Sequence, residues 1–144
     1  MSLQKILIAV DDSPIAAHAA DVGIELAKAL HSTLGFVHVF DARVAPGTAW
    51  GITAERVGEL SEEQAKRLLE LFRERAGMQS DVPAFLKSAD PASDIIEVAK
   101  KWSADMIVMG SHGRGRLGGL VLGSVSQAVL HHAPCPVLVV RPRT

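Results

Sequence analysis

The chain has 144 residues, 48% of them hydrophobic, with a formal net charge of −1. That length suits one domain spanning residues 1–144, and the apolar share is too high for a disordered chain. The near-neutral charge gives no overall field for nucleic acid or an anionic membrane, and with aromatics at 4% and no Tyr a base-stacking platform for single strands is not expected.

Residues 5–10, Lys-Ile-Leu-Ile-Ala-Val, form a short continuous apolar run, the pattern of a strand covered on both faces. Asp11-Asp12-Ser13-Pro14 ends it. Ser13 suits an N-cap and Pro14 a first helical residue, so a helix is expected from there to about Leu30. A second strand is expected over 34–40, followed by Asp41 and a loop containing Pro46, Gly47 and Gly51. From about Thr53 to Ala76 the spacing is helical. Val57, Leu60, Ala65, Leu68, Leu71 and Phe72 are assigned to the buried arc, and Glu55, Glu59, Glu62, Lys66, Glu70 and Arg73 to a solvated face.

Residues 82–88 make a weaker third strand. Asp90-Pro91 repeats the cap-and-proline signal and starts a helix to about Ser103. Met106 to Met109 reads as a fourth strand and Pro136 to Val140 as a fifth, with a glycine-rich loop and a helix over 124–132 between them. Cys135, the one cysteine, lies between Pro134 and Pro136. It cannot form an internal disulfide, and it reads as a small buried hydrophobe rather than a redox-sensitive thiol. No run approaches the ~18 apolar residues of a membrane span. The residues after Met1 lack the features of a signal peptide, so a cytoplasmic protein with no membrane partner is expected.

Alternating strands and helices imply parallel strands with right-handed crossovers, a single doubly wound α/β domain with helices on both faces of a five-stranded sheet. Ligands in such folds lie at the carboxyl ends of the strands. Asp11, Asp41 and the glycine loop fall there.

The loop reads Gly110-Ser111-His112-Gly113-Arg114-Gly115-Arg116 and leads to Gly123-Ser124. Glycines let backbone amides approach a phosphate, and the end of the following helix favours an anion. Ser124-Val125-Ser126-Gln127 matches a capping box with Ser124 as the cap. The loop lacks the Gly-Lys-Ser/Thr of a Walker A motif. His112 has no acid–base partner fixed by spacing, and His131 and His132 point in different directions along a helix. No catalytic residue and no protein-only metal site are assigned. Asp11, Asp12 and Asp41 could gather a metal, but Mg²⁺ bridged through phosphates is the preferred reading.

Gly110-x2-Gly113-x9-Gly123-Ser124 resembles the nucleotide-binding signature of the universal stress protein family. Val10-Asp11-x-Ser13, His38-Val39-x-Asp41, Met109-Gly110-Ser111-His112-Gly113 and Pro134-Cys135-Pro136-Val137-Leu138-Val139-Val140 are similar to the family as well. The resemblance covers nearly the whole chain and is weakest from Ala42 to Gly77. It implies a sheet in the order 3-2-1-4-5, frequent homodimers and, since every motif position is kept, the ATP-binding branch of the family.

By that resemblance the nucleotide site comprises Ala9, Val10 and Asp11, with Val39, Met109, Gly110, Ser111, His112, Gly113, Arg114, Gly123, Ser124 and Val125. Asp11 would meet the ribose, or the phosphates through Mg²⁺. Val39 would meet the adenine through its backbone, and Met109 and Gly110 would lie beside the nucleoside. Gly113, Gly123 and Ser124 would hold phosphates, with an amide from Val125. The expected function is a nucleotide-dependent switch in stress response, read by an unknown protein partner. The alternatives are a slow ATPase or phosphoryl or nucleotidyl transferase, and a nucleotide-free partner-binding module. A homodimer is expected through strand 136–140, whose apolar edge needs cover.

Overall fold

The computed structural model describes residues 2–41, 54–77, 80–88, 90–112 and 122–143. Among these residues, strands and helices alternate: β1 (Lys5–Ala9), α1 (Pro14–Leu30), β2 (Thr33–Asp41), α2 (Ala54–Ala76), β3 (Ser80–Ser88), α3 (Pro91–Trp102), β4 (Met106–Gly110), α4 (Ser124–His132) and β5 (Val137–Val140). The expected loop over 42–53 lies outside the described residues.

The strand pairings are parallel. The five strands form one sheet in the order β3-β2-β1-β4-β5, with β1 at its centre and β3 and β5 at its edges. Central β1 aligns Ile6 with Leu34 on one side and with Met106 on the other. Ile6, Leu7 and Ile8 are wholly buried, because helices cover both faces of the strand that carries them.

The side-chain alternation of the strands divides the core in two. Ile6, Ile8, Val10, Leu34 and Phe36 pack with Ala20 and Ile24 of α1 and Leu69 and Phe72 of α2. Leu7, Val37, Ile107 and Met109 pack with Ile95 and Ala99 of α3 and Val129 of α4. Cys135 lies half-buried at the rim of this second cluster, and burial pushes its thiol up from its ordinary value, with Asp105 adding to the shift.

The helix starts follow from local chemistry. Ser13 caps α1 by accepting from the Ala16 amide at 3.2 Å, with Pro14 in the first turn. Asp90 caps α3 in the same way through Ser93, with Pro91 following. Helix α2 buries Ala65, Leu69, Phe72 and Ala76, which fall within a narrow arc of the helical wheel. Leu71, expected on the buried side, is 62% exposed. It sits more than a quarter of a turn around from Phe72, outside the arc that faces the sheet. The side chains of Val57, Leu60, Glu55 and Glu59 lie outside the described residues. Phe72 stacks on Phe36 with centroids 5.9 Å apart, and Arg75 forms a two-pronged pair with Asp21 of α1, Nη2 to Oδ2 at 2.7 Å.

The amino end of the sheet is closed by polar contacts. The Asp105 carboxylate accepts the Gln4 and Lys5 amides at 2.9 Å each. Lys5 Nζ donates to the Trp102 carbonyl at 3.2 Å while lying over the indole ring. The carboxyl end is the one left for a site. Among the described residues, no helix is long and apolar enough to cross a membrane.

Candidate functional site

Three chain segments converge at the carboxyl ends of the central strands. The first leaves β1. The Val10 amide donates to the Val37 carbonyl at 2.9 Å, which carries β1–β2 pairing one residue past Ala9. Asp11 then turns the chain: its Oδ1 accepts the Ser13 amide at 2.8 Å, an Asx turn. Because Ser13 itself caps α1, the orientation of Asp11 is tied to the helix start.

The second segment is the end of β2. Val37 and Val39 share a parity and belong to the core under α3 and α4. The Val39 side chain is therefore committed to packing, and its backbone is what it can offer a ligand. His38 has the opposite parity, and its Nδ1 lies 2.8 Å from the Val10 carbonyl. Only a protonated Nδ1 can bond a carbonyl oxygen, so this ring nitrogen is the donor.

The third segment is the glycine loop, whose two ends are drawn together by specific contacts. The Gly123 amide donates to the Ser111 carbonyl at 2.8 Å, and the Ser111 amide donates to the Val140 carbonyl at 2.8 Å. The Ser126 hydroxyl, in a residue 2% exposed, donates to the Gly110 carbonyl at 2.9 Å. A Cβ on Gly123 would lie 3.2 Å from the His112 Cα, so the two loop ends approach closely enough that any side chain there would press on the His112 backbone.

Helix α4 does not start as the capping-box pattern implies. Its N-cap is Gly123, with no side-chain cap bond, and Ser124 is the first helical residue. The Gln127 amide bonds the Gly123 carbonyl at 3.0 Å. Pinning Gly123 against Ser111 moves the cap one residue earlier, which places the exposed Ser124 within the first turn. The first-turn amides of a helix have no intrahelical acceptor, and here no cap side chain serves them.

The structure thus brings Ala9, Val10, Asp11 and Val39 to one end of the sheet with Met109, Gly110, Ser111, His112, Gly123, Ser124 and Val125. Met109 is buried in the second core, and Val125 packs against that cluster. Ser111 is buried, with its hydroxyl 3.2 Å from His112 Nδ1. Gly113 and Arg114 lie outside the described residues, as does the side chain of Asp41. Among the described residues no group of three or more His, Cys, Asp or Glu side chains is placed to hold a metal ion. His38 and Ser126 were not assigned from the sequence. The signal for each was a polar side chain at a buried-face position: His38 shares the parity of Leu34 and Phe36, and Ser126 precedes buried Val129 by three residues.

Comparison with known proteins gives the family of the chain. The universal stress protein family matches residues 2–141. Universal stress protein MJ0531 of Methanocaldococcus jannaschii is 32% identical, over 96% of this chain and 82% of that protein. A universal stress protein of Thermus aquaticus is 39% identical, over 94% and 97%. The solved structure of protein MJ0577 superposes with a TM-score of 0.83 at 26% identity, covering 100% of this chain and 99% of that one. The chain belongs to the universal stress protein family.

Proposed function

We propose that this chain binds an adenine nucleotide, ATP by preference, at the carboxyl end of its sheet, and acts as a nucleotide-dependent regulatory protein in stress response. The observation that carries the reading is the closed mouth of the glycine loop. Gly123 and Ser126 of the α4 start are bonded to Ser111 and Gly110 of the β4 end, beside a helix terminus with no side-chain cap. A helix start of this kind suits phosphate oxygens. In this reading Asp11 accepts from the ribose, the Val39 backbone meets the adenine, and Ser124 and the Val125 amide hold phosphates together with Gly113. Mg²⁺, where present, is carried by the phosphates. The working form is a homodimer paired through β5, whose outer edge needs cover.

Two structures that share this fold hold adenine nucleotides: one universal stress protein is in complex with cAMP (TM-score 0.71, 20% identity) and one from Archaeoglobus fulgidus is in complex with dAMP (TM-score 0.65, 23% identity). Those ligands are properties of those proteins. The reading for this chain rests on its own residues.

The test is calorimetric titration of nucleotide-stripped protein with ATP, with and without Mg²⁺, and with GTP as a control. Saturable ATP binding with weak GTP binding is expected. No heat of binding from a folded protein would reduce the glycine signature to a structural loop.

A further inference from the structure

We propose that His38 is a positioning residue for the nucleotide site, acting through Asp11. The inference rests on the adenine-nucleotide reading and names a residue which that reading leaves out. The His38 Nδ1–H bonds the Val10 carbonyl at 2.8 Å. That carbonyl and the Asp11 amide belong to one planar peptide unit. Fixing the direction of the carbonyl therefore fixes the direction of the Asp11 amide and of the backbone that carries the Asp11 side chain. On its other side Asp11 is held by the Ser13 amide at Oδ1, 2.8 Å away. His38 and Ser13 thus set Asp11 from opposite ends, one from β2 and one from the start of α1.

The bond also joins two of the three site segments. Val39, the next residue after His38, is the one whose backbone faces adenine in the proposed site. A single side chain therefore links the strand beside the base to the turn beside the ribose. The imidazole can do this because it places a rigid donor over the neighbouring strand end. An Asn amide nitrogen can occupy nearly the same place as Nδ1, whereas Phe keeps the ring and loses the donor.

The experiment measures the affinities of the unsubstituted chain, His38→Phe and His38→Asn for ATP and for 2′,3′-dideoxy-ATP, which lacks the ribose hydroxyls. His38→Phe is expected to bind ATP roughly five- to tenfold more weakly, with little change for the dideoxy analogue, and His38→Asn is expected to restore ATP affinity. A folded His38→Phe with unchanged ATP affinity, or with equal losses for both ligands, overturns the proposal. If the unsubstituted chain binds neither ligand, the nucleotide reading fails, and the proposal with it. A second measurement needs no variant. The long-range proton–nitrogen spectrum of the unliganded protein should show His38 with its proton on Nδ1; a proton on Nε2 alone overturns the proposal.

Discussion

Ser126 carries a buried hydroxyl whose bond to the Gly110 carbonyl crosses from α4 to β4. Replacing Ser126 with Ala removes the donor and leaves a backbone carbonyl short of a partner, at a cost of about 1–2 kcal/mol. Urea unfolding should show that loss, and nucleotide affinity should fall as well, since the loop mouth is held by one bond fewer. Unchanged stability would mean that water replaces the hydroxyl. At this scale the sequence was legible where a residue acts on its near neighbours. Ser13 and Asp90 cap their helices as their spacing implies. Ser124 does not, because the bond between Gly123 and Ser111 closes across the loop, and no local pattern records such a contact.

Helix α2 shows what an element's own periodicity can decide. Its charged face was legible, with Glu62, Lys66 and Glu70 exposed. Its buried stripe follows the same period: Ala65 and Phe72 share an arc with Leu69 and Ala76, and Leu71, assigned to that arc from its apolar character, lies outside it. The Asp21–Arg75 pair fastens this helix to α1. The hydrogen bond from Arg75 is the main cause that holds the Asp21 carboxyl below its ordinary value, with the Arg75 charge adding to it and partial burial opposing it. A depressed carboxyl contributes stability that is complete above the ordinary carboxylate range and is lost as the pH falls through its folded value. Both side chains are nearly half exposed, so the contribution is below about 1 kcal/mol. Asp21→Asn should therefore lower stability slightly at neutral pH, and the gap should narrow in unfolding experiments towards about pH 3. A gap that stays constant with pH would assign the effect to packing.

For the whole molecule, the parallel α/β class was legible from the order of elements, whereas the pairing of strands distant in sequence was legible only through the family resemblance, whose order 3-2-1-4-5 is the one observed. Strand β5 pairs with β4 alone among the described strands, and Val137, Leu138 and Val139 are half-buried. The proposed homodimer covers this edge. Sedimentation at micromolar concentration should show it, and a monomer there would rule it out. The central strand carries a different consequence. Lys5 to Ala9 lie between β2, which follows closely, and β4, which comes about a hundred residues later. During synthesis, one side of β1 must therefore wait until most of the chain has left the ribosome. Long-range pairing of this kind slows folding and leaves an unpaired edge exposed meanwhile. Chains halted before Met106 should be prone to associate with one another, because the edge of β1 that β4 covers is still unpaired in them.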